Sequence, residues 1–207
     1  MIKEVTNFKR KELFEHYNEC DNPFIIITVP VDVTNIVNYC KIHKNFYATM
    51  GYYVTKTVNE IDNFRYRLKN NKIYFCDEVK SNYVQMHKDG EIGYFTLPIV
   101  HGYQEYIKTF NEVQNNFLNN NYECVNDIDE IWLSCEPWVP FNGLIPPFSK
   151  KNTIPQFIWD KYKQVDDKYF VNLMILVHHG FADGSHIANF IKKLEDNIKK
   201  VVKWKKY

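Results

Sequence analysis

The sequence has 207 residues, 45% hydrophobic and 25% charged, with a formal net charge of +1. That mixture suits one globular domain over residues 1–207 with a sizeable core, and its near neutrality argues against a general nucleic-acid binder, whose phosphate contacts need a basic excess. No apolar run approaches the roughly 18–20 residues of a membrane span and Met1-Ile2-Lys3-Glu4 starts no apolar signal region, so the expected setting is cytoplasmic, with no membrane and no nucleic acid as partner.

Residues 9–18 read as a helix with Leu13, Phe14 and Tyr17 on one side. Residues 24–31 are apolar and β-branched, hence a strand. Asp32 or Thr34 then caps a long helix running to about Ile61. Segments 64–68 and 72–76 flank Asn70-Asn71, the signature of a hairpin. Strands follow at 83–87 and 93–97, and Tyr106, Phe110, Val113 and Phe117 mark an amphipathic helix over 103–118. Residues 131–135 form a strand, 141–153 a Pro-rich loop, and 156–162 and 169–177 two more strands, the second so apolar that it belongs inside a sheet. From Asp183 a helix of about 17 residues buries Ile187, Phe190, Ile191 and Leu194. Long helices among hairpin-linked strands predict an α/β two-layer sandwich with a mixed sheet, not a doubly wound parallel sheet.

Five cysteines (Cys20, Cys40, Cys76, Cys124 and Cys135) are dispersed without a CxxC pair, which predicts thiols and argues against a disulfide framework or a metal site. The basic tail at Lys199, Lys200, Lys203, Lys205 and Lys206 reads as a solvated helix end.

Chemistry concentrates in Leu176-Val177-His178-His179-Gly180-Phe181-Ala182-Asp183-Gly184. A strand delivers two histidines to its end, and because adjacent side chains alternate between faces, only one of them can serve a given cleft. An imidazole near pKa 6.5 is suited to removing a proton from a hydroxyl. Asp183, four residues after His179, is either an orienting carboxylate or a helix cap and ion-pair partner that fixes the turn. The same strand–HHxxxDG–helix pattern occurs in the acyltransferase core of 2-oxoacid dehydrogenase complexes and in condensation enzymes. No lipoyl or tethering segment stands before the first element, which weighs against the dehydrogenase core.

Three further segments narrow the choice: Phe8-Lys9-Arg10-Lys11-Glu12-Leu13-Phe14-Glu15-His16-Tyr17, Ser134-Cys135-Glu136-Pro137-Trp138-Val139, and Pro155 through Lys161-Tyr162. With the His178-His179 unit they resemble, in order and spacing, motifs of the chloramphenicol acetyltransferase family. The resemblance implies a homotrimer with sites between subunits and acetyl-CoA as acyl donor, with no metal. It implies His179 as the general base that deprotonates an acceptor hydroxyl, and Ser134 as a hydrogen-bond donor to the tetrahedral oxyanion. Asp183 would pair with Arg10, Trp138 and Lys161 would lie near the coenzyme, Tyr17 would line the acceptor pocket, and His186 would be structural.

Several positions depart from the family pattern. Ile158 replaces a threonine hydroxyl, Ser185 replaces an aromatic residue, and the run Cys20-Asp21-Asn22-Pro23-Phe24 puts a carboxylate where drug-modifying members carry apolar residues or Cys. Residues 80–128 do not align, so acceptor contacts there stay unassigned. Chloramphenicol is the leading acceptor. The alternatives are another alcohol acceptor or a catalytically weak trimeric binding protein.

Overall fold

The computed structural model describes residues 1–43, 45–119 and 127–203; Cys124, Lys205 and Lys206 lie outside them. The strands are β1 (Ile2–Glu4), β2 (Phe24–Asp32), β3 (Tyr66–Lys69), β4 (Lys72–Cys76), β5 (Lys80–Met86), β6 (Ile92–Thr96), β7 (Glu130–Glu136), β8 (Gln156–Asp160), β9 (Lys163–Val165) and β10 (Lys168–His178). The helices are α1 (Lys11–Glu19), α2 (Thr34–His43), α3 (Phe46–Asn59), α4 (Tyr103–Leu118) and α5 (Gly184–Lys199).

The main sheet runs β2-β10-β8-β7-β5-β6, with β9 paired to β10, and β1-β4-β3 form a second sheet. β7 is parallel to β5 and to β8, while β10 is antiparallel to both β2 and β8. The sheet is mixed and packed with helices, as the sequence predicts.

Alternation along the strands makes two faces. Val171, Leu173, Ile175 and Val177 of β10, Leu133 of β7 and Phe157 of β8 join the main core with Ile36, Val54, Phe110, Phe190 and Leu194 of the helices. On the other face, Ile158, Met174, Leu176 and Phe24 form a smaller cluster under Phe141 and Leu144 of the loop after β7. That second face carries Ser134, in register with Ile158 and Met174.

Two expectations need correction. The long helix from Asp32 or Thr34 to Ile61 is two helices. Asn45 has a left-handed backbone (φ 67°), and its side chain accepts from Ala48 N–H, so it starts α3 afresh. Asp32 accepts from Thr34 N–H at 3.0 Å and sits beside the start of α2. Second, β1 and β9 escaped the pattern reading. Each has three exposed residues and exists through its pairing with β4 or β10. The hairpin holds as expected: Asn70 and Asn71 both take positive φ, 52° and 59°, which suits the twist of a two-residue connection.

Candidate active site

β10 ends at His178, and a turn of four residues leads to Asp183, the N-cap of α5. Phe181 N–H and Ala182 N–H both donate to the His178 carbonyl, at 2.9 and 3.1 Å. His179 N–H donates to Pro23 O at 2.8 Å, which ties the turn to the start of β2. Asn63 Nδ2 donates to Phe181 O at 2.8 Å. Gly180 is required by close approach: a Cβ there would meet the Phe14 Cα at 2.7 Å, so α1 lies directly on the turn.

The Arg10–Asp183 pairing expected from the resemblance is present. Arg10 Nη1 lies 3.0 Å from Asp183 Oδ2, and Arg10 Nε donates to Gly180 O at 3.3 Å. Asp183 also caps α5 through Ser185 N–H, and His186 closes the reciprocal capping box. Burial pushes the Asp183 carboxyl up, but hydrogen bonds from Ser185 and Arg10, with His186 beside it, outweigh it and hold it well below the usual carboxylate range. Of the two readings of Asp183, the contacts are those of a helix cap and ion-pair partner, and His186 joins the capping box. The carboxylate therefore works on the turn.

The two histidines divide as strand alternation demands. His178 is 1% exposed among Phe14, Phe24 and Phe181. Its Nδ1 accepts from Gly180 N–H at 3.2 Å, so its proton sits on Nε2 and the ring is neutral. Burial, with His179 beside it, pulls its pKa down to about 4. Such a group stabilises the fold above its unfolded pKa near 6.5, and that stability drains as pH falls through 4. The expected loss by pH 4.5 is about 2–3 kcal/mol. Urea unfolding at pH 7 and 4.5 checks this: His178→Asn, which keeps a δ acceptor for Gly180 but cannot titrate, is expected to lose that much less than wild type. Asp183 titrates below its ordinary 3.8 and stays out of the window.

His179 is half-buried and stacks face to face on Tyr17, centroids 4.0 Å apart and planes 5° from parallel. Its Nδ1 is enclosed and has no partner among the described residues, which leaves Nε2 as the nitrogen able to meet a bound group. A base at Nε2 needs the proton on Nδ1, and among the described residues no acceptor holds it there.

The remaining predicted residues lie elsewhere. Ser134, half-buried on β7, pairs in register with Ile158 of β8, and Ile158 with Met174 of β10. His179 lies five residues beyond Met174. Five residues of strand and two strand spacings amount to about 17 Å along and about 10 Å across, so Ser134 and His179 stand roughly 19 Å apart in one chain. Trp138, 68% exposed, and Lys161, also exposed, follow the paired ends Glu136 and Asp160 of two parallel strands. They leave the same end of the sheet, opposite to the end where antiparallel β10 delivers His179. Asp21 is exposed. Among the described residues, no group of three or more His, Cys, Asp or Glu could hold a metal ion.

Sequence reasoning missed the Asn63 and Pro23 anchors, which carry no local signal. It also missed a cavity of about 970 Å³ whose lining includes Trp132 and Asn82. Trp132 is two residues before Ser134 on the same face of β7.

A family model described as chloramphenicol acetyltransferase matches residues 2–195. A chloramphenicol acetyltransferase of Clostridium perfringens is 28% identical over 213 aligned residues, which cover 97% of this chain and 95% of the relative. Chloramphenicol acetyltransferase 3 of Escherichia coli is 24% identical, with 93% and 94% covered. A solved chloramphenicol acetyltransferase structure matches with a TM-score of 0.83 at 22% identity, covering 96% of this chain and all of that one. A probable dihydrolipoamide acetyltransferase from Listeria monocytogenes matches at 0.68 and 15% identity, with 99% and 97% covered. At these identities the structural likenesses establish a shared fold.

Proposed function

Because this chain belongs to the chloramphenicol acetyltransferase family, we propose that it is an acetyl-CoA-dependent O-acetyltransferase with His179 as general base and chloramphenicol as the leading acceptor, an antibiotic-inactivating activity of the cytoplasm. The observation that carries the reading is the His179 ring itself. It lies against Tyr17 at 4.0 Å, on a turn clamped by Arg10 and Asp183, with one nitrogen left for a ligand.

Neutral His179 takes the acceptor's hydroxyl proton at Nε2. The alkoxide oxygen bonds to the thioester carbonyl carbon of acetyl-CoA, whose oxygen gains the electron pair. Ser134 donates a hydrogen bond to that oxyanion, an interaction worth a few kcal/mol in such settings. Collapse breaks the C–S bond, the thiolate leaves, and the imidazolium returns its proton to sulfur. Tyr17 keeps the ring plane fixed and borders the acceptor. Trp138 and Lys161, exposed together at one end of β7 and β8, suit a coenzyme whose adenine can stack and whose phosphates seek a cation.

The separation of about 19 Å within one chain supports a site shared between copies. His179 of one subunit would face Ser134, Trp138 and Lys161 of the next, in a homotrimer whose head-to-tail interface closes into a ring. A second reading, acetyl transfer to a different alcohol, draws on Ile158. It presents a side chain without a hydroxyl beside Ser134.

The test is thiol release from acetyl-CoA with chloramphenicol and a panel of small alcohols. Acceptor-dependent release is the expected outcome. Its absence with every acceptor would leave the binding-protein reading.

A further inference from the structure

The strand that leads to Lys161 is irregular at that point. β8 pairs with β10 as far as Trp159 with Leu173, and β9 resumes the pairing at Lys163 with Phe170. Residues 160–162 therefore stand opposite residues 171 and 172, one residue in excess, which is the count of a β-bulge. A bulge interrupts the ladder and re-aims the side chain it carries, here Lys161. Asp160 serves the interrupted ladder: its Oδ1 accepts from the Asn172 N–H at 2.7 Å, so a side chain supplies the acceptor for a backbone donor.

Asn172 answers with its own side chain. Its Nδ2 donates to Asp160 Oδ2 at 2.9 Å and to Phe141 O at 2.8 Å. Both hydrogens on Nδ2 are used, and a flipped amide would turn Oδ1 onto a carboxylate and a carbonyl. The carboxylate therefore leaves the amide one orientation. Asp160 is 1% exposed and Asn172 7%, so water scarcely competes for these bonds. Among the described residues, the Asn172 bond is the one hydrogen bond that reaches residues 138–146. Trp138 lies between Glu136, held by its pairing with Asp160, and Phe141, held by Asn172.

We propose that Asn172, locked by Asp160, is a positioning residue for the coenzyme: it fixes the bulge that projects Lys161 and the loop that presents Trp138. The inference rests on the transferase reading for the coenzyme itself. Both residues are buried and act through Lys161 and Trp138.

Calorimetric titration of the intact protein with coenzyme A, beside thermal melts, separates positioning from stability. Asn172→Leu alone strands a buried carboxylate and should lower the melting temperature. The double variant Asp160→Leu/Asn172→Leu removes carboxylate and amide together, on a face already lined by Ile158, Met174 and Leu176, and should melt near wild type. Its affinity for coenzyme A is nevertheless expected to fall roughly three- to tenfold, the value of about one hydrogen bond. Asp160→Asn, which keeps the volume and an acceptor for the Asn172 N–H, should weaken binding in the same direction, and it alone decides if the double variant melts early. The sign separates positioning from charge, because deleting a negative charge near a polyanion would by itself tighten binding. In turnover, KM for acetyl-CoA should rise with kcat nearly unchanged. Undiminished or tighter binding of coenzyme A by the deciding variant overturns the proposal and leaves the transferase reading standing. Failure of the wild type to bind coenzyme A removes both. Binding by the wild type without thiol release from acetyl-CoA for any acceptor removes the transferase reading alone, and the variants' affinities still decide the role of Asn172.

Discussion

Replacing His179 with alanine is expected to lower acceptor-dependent thiol release by roughly 10²–10⁴-fold, the range of a positioned general base. The fold should survive. His179 is half-buried, and its ring contact with Tyr17 is an aromatic pair worth about 1 kcal/mol. The turn is held by other groups: Pro23 O, Asn63, Arg10 and the His178 carbonyl all bind backbone or Asp183 rather than the imidazole. Steady-state kinetics on a variant with an unchanged melting temperature isolate the chemistry. A fall in kcat with KM for the acceptor nearly unchanged is the signature of lost proton transfer. Full turnover in the variant would remove His179 from the mechanism.

How far such a site can be read from residues alone depends on how local its determinants are. The turn was legible because strand, paired histidines, aspartate and helix start fall within one short segment, and its clamp because Arg10 sits in a second recognisable segment. The Asn70-Asn71 hairpin was legible for the same reason: both residues tolerate the positive φ that the connection needs. The break between α2 and α3 was not, since helical periodicity continues across it and only Asn45, in a left-handed conformation, betrays the restart. β1 and β9 are too short and too exposed to show alternation, and only distant partners make them strands. The distance between Ser134 and His179 was hidden more deeply. It follows from the order β10-β8-β7 and from the opposed directions of β10 and β8, both decided by pairing between residues far apart in sequence. The Asn82–Trp132 cavity was invisible for the same reason, its walls being drawn from segments scattered between Asn18 and Ile154.

Mixing two inactive variants is expected to restore activity, and this is the sharpest consequence of that topology. Ser134→Ala alone should cost roughly 10²–10³-fold, the effect of removing one oxyanion donor. His179→Ala alone should cost at least as much. In the proposed closed ring, each interface would take His179 from one copy and Ser134 from the next. When the two variants are co-expressed in equal amounts and assort freely, about one interface in four joins an intact histidine to an intact serine. The mixed protein should therefore show about a quarter of the wild-type rate, far above either parent. If each copy housed both groups in its own site, the mixture would show only the average of its parents. The strands set the terms of this experiment: with Ser134, Ile158 and Met174 in one register row, and His179 beyond the far end of β10, no rearrangement of side chains brings serine and imidazole onto one substrate within a single chain. Activity confined to the parental average, with both parents inactive, would overturn the shared site.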